Sequence, residues 1–217
     1  MKMIVYAYKA LRKFRSILLE EFFTPIAKII FTLNGINYGK DLQVKGLMKI
    51  IVTRRGVVSV GRRLRVNSGD NYNVIGRQQK CIFWVEGTLT IKNNVGISSS
   101  AIICNHQITI GSNVVIGGNT VIYDTDFHSL DAKLRNSPEQ DRDNARWAPV
   151  SIGDNVFIGA HSTILKGVTI GDNSIIGACS VVSKDIPENE IWAGNPAVFI
   201  KKCASKVADI AQQDSIT

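Results

Sequence analysis

From Val150 to Pro187, branched aliphatic residues return every six positions: Ile152, Ile158, Ile164, Ile170, Ile176 and Val182. Two positions before each stands Val150, Val156, Ser162, Val168, Ser174 or Ser180, all small or β-branched. Gly153, Gly159, Gly171 and Gly177 follow four of the six. A period of six matches neither a helix at 3.6 nor a straight strand at 2. It matches a chain that runs a short strand, turns a corner and repeats, so that each aliphatic side chain stacks on its like one coil away. Glycine relieves the corners, where φ can be positive. An ordinary antiparallel sheet gives irregular spacing, so the pattern predicts a parallel β-helix.

The same spacing extends upstream. Ile110, Ile116 and Ile122 keep it, and Ile122 to Ile152 is a whole number of hexads, although Tyr123 to Pro149 does not read as repeat. Val85, Ile91, Ile97 and Ile103 form another run, with one residue inserted before Ile110. Val60 and Val66 mark the beginning. These patterns divide the chain into a helical, basic lead-in (1–56), a repeat domain (57–202) with an inserted loop (123–149), and a tail (203–217). Residues 67–83 break the repeat and read as irregular coils. Within the lead-in, Ile4, Ala7, Tyr8, Leu11, Phe14, Leu18 and Phe22 follow helical spacing, and Lys2, Lys9, Arg12, Lys13 and Arg15 occupy the rest of the surface. Pro25 is expected to end or bend this helix. A second apolar run, Ile26 to Leu33, closes at Gly35. No run reaches the roughly 20 apolar residues of a membrane span, and charges interrupt any signal-peptide pattern. Two readings stay open for the segment. It caps the first coil, or it lies on the inner leaflet of a membrane.

The stretch "IGDNVFIGAHSTILKGVTIGDNSIIGACSVVSKDIPENEIWAGNPAVFIKK" resembles the hexapeptide-repeat acyltransferases, and most of all their sugar and glycan O-acetyltransferases, such as those acting on maltose and galactosides. The resemblance covers roughly Val57 to Lys202. It implies a left-handed parallel β-helix, an exception to the right-handed rule for parallel crossovers. It also implies a homotrimer with acetyl-CoA in the groove between neighbouring subunits. Position by position, Ala160 in "IGAH" and Ala178 in "GAC" match backbone contacts of the pantetheine arm. Ser183 and Lys184 in "VSKD" match the pair further along. Lys201, with Lys202, suits the phosphates of the nucleotide end as a flexible point charge. Val198 stands where the family often has Arg, which implies fewer nucleotide contacts. On the acceptor side, Ser98 and Asn105 lie near sugar-contacting positions. Trp147 at the end of the loop could stack on a sugar ring or close the loop on the core.

After Ile122 the chain reads "YDTDFHSLDAKLRNSPEQDRDNARWAPV", polar and charged. Loops of this length in compact domains are uncommon and tend to be functional. His128 stands near its start, where the family places the base that takes a proton from the acceptor hydroxyl. A sugar hydroxyl is a poor nucleophile at neutral pH and attacks a thioester when a base removes its proton as the bond forms. Histidine suits this task because an unperturbed imidazole is mostly neutral at pH 7. Asp124 and Asp126 alternate with His128, so an extended chain would put all three on one side. Asp126, or Asp124, could then orient the ring, as could a backbone carbonyl. His106 and His161 read as surface or corner residues. The three histidines lack the His-x-x-x-x-His pair of zinc enzymes with this fold, so no metal is expected.

Charge is uneven. Met1 to Arg65 carries fourteen Lys and Arg against three acids, whereas the remainder carries twelve against fifteen. The basic half, with Arg54, Arg55, Arg62, Arg63 and Arg65 near the first coil, suits an anionic partner such as a membrane surface or a phosphorylated acceptor. No nucleic-acid motif accompanies it. Cys81, Cys104, Cys179 and Cys203 form no C-x-x-C pair. Cys104 and Cys179 read as small apolar residues of repeat strands, which suggests a reduced, cytoplasmic protein, peripheral at the inner membrane if the lead-in is an anchor. The expected function is acetyl transfer from acetyl-CoA to a sugar hydroxyl in cell-surface polysaccharide synthesis, with a glycan acceptor that could be lipid-linked. The alternatives are N-acetylation of a nucleotide-linked amino sugar and a non-catalytic, membrane-associated scaffold.

Overall fold

The computed structural model describes residues 2–69, 71–73, 75 and 79–203. The expected tail therefore lies outside the described residues from 204 onward, as do Asp70, Val74 and residues 76–78 of the irregular stretch. Lys201 and Lys202 end a strand, Ala197–Lys202, that pairs antiparallel with Glu190–Gly194.

The described strands form three parallel ladders that wrap one core, and the chain is a left-handed parallel β-helix. One ladder runs through Asn37–Tyr38, Val57–Val60, Thr88–Ile91, Gln107–Ile110, Val150–Ile152 and Thr169–Ile170. The second begins at Gln43–Lys45 and Arg65–Asn67, continues through Gly96–Ser98, Val115–Ile116, Phe157–Ile158 and Ile175–Ile176, and ends in the terminal hairpin. The third stacks Lys49–Val52, Ile82–Val85, Ala101–Cys104, Val121–Tyr123, Thr163–Ile164 and Val181–Val182. Register explains the period of six. Ile110 pairs Ile152 and then Ile170, Ile116 pairs Ile158 and then Ile176, and Ile122 pairs Ile164 and then Val182. All nine side chains are buried. The Ser or Val two places before each hexad residue from Ile152 to Val182 is buried as well.

Three details depart from the sequence expectation. Ile102, not Ile103, joins the stack: it is buried between Phe83 and Ile122, while Ile103 is half-exposed. Coils of unequal length meet here, and strand alternation then selects the residue whose Cβ faces inward. Cys104 is a buried strand residue, but Cys179 is an exposed corner residue with φ of 60°. It occupies the left-handed position held by Asn119 and His161 in the two coils beneath. The solenoid also begins before Val57, because 37–52 already supplies one strand to each ladder.

Helix α1 spans Lys2–Leu33 without interruption, and Pro25 lies inside it. Proline removes only one helical hydrogen bond, and both flanking turns are held from outside. Thr24 Oγ1 receives the Val44 N–H at 3.0 Å. Ala27 and Phe31 are buried in the core, with Phe31 edge-on to Tyr38 at 5.6 Å. The C-terminal half of α1 therefore caps the first coil. No helix of the described residues is long and apolar enough to cross a membrane.

Candidate active site

The chain leaves the third ladder after Tyr123 and rejoins the solenoid in the first ladder at Val150. Two short helices fill the excursion: α2, Ala132–Arg135, and α3, Pro138–Asp143. Asp131 caps α2 by accepting the Lys133 N–H at 2.7 Å, and Pro138 occupies the first turn of α3, where its missing N–H costs nothing. The stem closes on itself. Thr125 bridges Trp147, the Asp126 N–H donates to Arg146 O at 2.9 Å, and the Ala148 N–H donates to Asp124 O at 3.1 Å.

Asp124 is fully buried and does not reach His128. Its carboxylate accepts three backbone N–H groups, from Asn105 and His106 at 2.8 Å each and from Gln107 at 2.6 Å. Three charge-assisted bonds compensate its desolvation and tie the loop to the corner of the coil beneath. Asp126 pairs with Lys166 Nζ at 2.9 Å instead of with the histidine. Asp126 and His128 do not share one side of an extended chain because Phe127, between them, has φ of 63°, and a left-handed residue turns the chain out of the extended form.

The carboxylate that holds His128 comes from α3. Asp141 Oδ2 lies 2.7 Å from His128 Nδ1, and Asp141 Oδ1 accepts the Ser129 N–H at 2.6 Å. The hydrogen bond to His128, followed by the one from Ser129, holds the Asp141 carboxyl below its ordinary value. Because a carboxylate only accepts, Nδ1 carries the proton and Nε2 keeps its lone pair. The His128 side chain is 68% exposed, so that lone pair is available to a ligand. Sequence reasoning missed Asp141. The available signal was Ser137-Pro138, a helix start that aims the next turn back at the beginning of the loop.

The chain neighbours of this pair, Phe127 and Arg142, line a cleft of about 530 Å³, although His128 and Asp141 themselves do not. Asn105, His106 and Trp147 line it, with Arg55 and Arg142 balanced by Glu86 and Asp143. Trp147 stacks on His106 with centroids 4.0 Å apart and planes 11° from parallel, and remains half-exposed. Of the acceptor-side residues anticipated from sequence, Asn105 and Trp147 come together here. Ser98 does not. It faces another depression, on the second ladder, with Gln43 and Arg65. His106 belongs to the cleft, beyond the corner role expected of it.

On the donor side, Ala160 and Ala178 stack at one corner, between the second and third ladders. The space beneath them is closed: a Cβ on Gly159 would stand 2.5 Å from Ala178 N, and one on Gly117 would stand 2.5 Å from Ala160 N. At positions 160 and 178 the corner thus presents backbone and methyl groups, suited to a slender arm, with His161 and Cys179 next to them. Ser183, Lys184 and Lys201 are exposed beyond it. His161 occupies the left-handed place of this corner and donates its N–H to Gly118 O at 2.8 Å. Among the described residues, no group of three His, Cys, Asp or Glu is placed to hold a metal ion.

Residues 149–184 match the family described as bacterial transferase hexapeptide, six repeats. The galactoside O-acetyltransferase of Escherichia coli is 44% identical over 101 residues, 46% of this chain and 47% of that enzyme. Protein CapG of Staphylococcus aureus is 56% identical over 68 residues, 31% of this chain and 40% of that protein. The chain spans about half the length of the curated relatives it matches. Among solved structures, AntD, an N-acyltransferase from Bacillus cereus in complex with dTDP and 3-hydroxybutyryl-CoA, superimposes with a TM-score of 0.64 at 23% identity, over 87% of this chain and 94% of that one. In repeat pattern and in fold, the chain is similar to the hexapeptide-repeat acyltransferases.

Proposed function

We propose that the protein transfers acetyl from acetyl-CoA to a hydroxyl of a sugar, as a trimer with the donor lying along the Ala160–Ala178 ridge. The carrying observation is the His128–Asp141 pair at 2.7 Å, on the loop whose Phe127, Arg142 and Trp147 wall a cleft. The relative that is a galactoside O-acetyltransferase supports a sugar acceptor. The small corner residues, with Ser183, Lys184 and Lys201 exposed beyond them, fit a pantetheine arm followed by phosphates.

In this reading His128 Nε2 takes the proton of the acceptor hydroxyl as its oxygen attacks the thioester carbonyl. Asp141 stabilises the imidazolium that forms. Backbone N–H groups stabilise the charge on the tetrahedral oxygen. Collapse breaks the carbon–sulfur bond, and the imidazolium returns its proton to the departing thiolate, leaving an acetyl ester and free CoA. Direct transfer is favoured because Cys81 and Cys104 are poor acyl carriers. Burial pushes both thiols up to about 12, with the Asp124 charge adding to the effect at Cys104.

The test is a panel of sugars and amino sugars incubated with acetyl-CoA and purified protein, with release of the free thiol as readout. Product lability to hydroxylamine separates an ester from an amide. Ester formation that disappears in His128→Ala supports the proposal. Thiol release confined to amino sugars, with a stable amide product, overturns it.

A further inference from the structure

Helix α1 uses one face for the solenoid and leaves an apolar stripe on the other. Ala27 and Phe31 are four residues apart and buried. Ile29 lies two residues from each, about half a turn away, and is 60% exposed. Exposed apolar residues recur on this side toward both ends of the helix. Ile4, Leu11, Phe22, Ile29 and Leu33 follow one another at whole numbers of turns and are each 60–80% exposed. Phe14 and Tyr8 flank them, also exposed. Capping therefore does not explain this stripe, since it points away from the coil that the helix caps. Four of the cations lie away from the stripe: Lys2, Lys9 and Lys13 opposite it and Arg12 at its edge, all exposed. The sequence has no acid before Glu20.

We propose that the outer face of α1 lies in the surface of an anionic lipid bilayer and stands the solenoid with its first coil toward the membrane. The observation that selects lipid over protein is charge. A long helix with a wide apolar face, a basic polar face and no acid in its first half is complementary to anionic headgroups. Neighbouring strands in a ladder lie about 4.8 Å apart. The cleft lined by Phe127 and Arg142 starts at Thr53 and Arg55, which follow the first coil, so it opens within roughly 15 Å of that surface. An acceptor tethered to lipid would reach it.

The test uses full-length protein and sedimentation with vesicles of phosphatidylglycerol and phosphatidylcholine, against phosphatidylcholine alone. Binding is expected only to the anionic vesicles, with release as salt rises. The double variant Ile4→Ser/Leu11→Ser, which touches no packed residue, should lose binding while keeping its melting temperature and its mass by light scattering. Lys9→Gln/Lys13→Gln should weaken binding about tenfold or more, since each basic residue near such a surface is worth about fivefold. Indifference of the full-length protein to anionic vesicles at low salt would overturn the proposal. So would a drop in oligomeric mass in the serine variant, which would show a second copy covering the stripe. Vesicle binding is read without acetyl transfer, so this proposal and the enzymatic one fail separately.

Discussion

Asp141 and His128 meet across thirteen residues of chain, with Oδ2 at 2.7 Å from Nδ1, and the same carboxylate receives the Ser129 N–H through its other oxygen. One side chain thus fixes both the ring and the backbone beside it, and the inserted loop is closed by the group that its own candidate base needs.

The lowered value of Asp141 gives a pH dependence. A carboxyl whose folded value is depressed contributes stability that is present above its ordinary value, 3.8, and is lost as pH falls through the depressed one. The Ser129 amide should therefore keep its protection from hydrogen exchange down to about pH 3.8 and lose it below. In Asp141→Asn this protection should show no transition in that range. Exchange followed by NMR across the acid range checks both.

Activity should separate the two residues from the donor ridge. His128→Ala should reduce turnover about 10²–10⁴-fold, the usual worth of a general base. Asp141→Asn should approach that loss, because an amide nitrogen facing Nδ1 moves the ring proton to Nε2 and blocks the base. Asp141→Glu should recover part of it. Acetyl-CoA affinity, measured by calorimetry, should be unchanged in all three. A loss of donor binding in Asp141→Asn would assign the residue to loop structure alone.

Trp147 stacks on His106 and lines the cleft. Truncation to Ala should raise the acceptor KM about tenfold, since an aromatic contact is worth up to about 1.5 kcal/mol beyond its area. The KM for acetyl-CoA should not move. Steady-state kinetics with each substrate varied in turn distinguishes this from a general loosening of the loop.

Much of this was legible because it is periodic. Ile152 to Val182 announce their stacking through local spacing, and the small residues at 160 and 178 follow from the same register. What the sequence concealed depends on single backbone conformations or on contacts between distant segments. Phe127 in the left-handed region separates Asp126 from His128. Asp141 arrives from a helix that no repeat predicts. Ile102 displaces Ile103 because coil lengths are unequal. Pro25 leaves α1 intact because the core holds Ala27 and Phe31 on its far side. The first coil, 37–52, keeps the spacing of six in Ile36, Leu42 and Met48 and in Tyr38, Val44 and Ile50, but its mixed residue types hide the repeat.

The corner between the first and second ladders supplies the last prediction. Asn94, Asn113, Asn155, Asn173 and Asn189 stand there in successive coils, all with φ of 59–60°. Each Nδ2 donates to the next Oδ1 at 2.9 to 3.1 Å. Two separable effects hold this column. Asparagine tolerates the left-handed conformation better than other residues with a Cβ, and the ladder adds a hydrogen bond on each side. Asn155→Gly removes the ladder bonds but keeps the conformation easy, so it should cost about 1 kcal/mol, the net worth of one or two exposed bonds. Asn155→Ala removes the same bonds and adds about 1–2 kcal/mol of left-handed strain, for a total of about 2–3 kcal/mol. The difference between the two variants isolates the strain. Thermal unfolding of both measures it, and equal destabilisation would mean that the asparagines are there for the ladder alone.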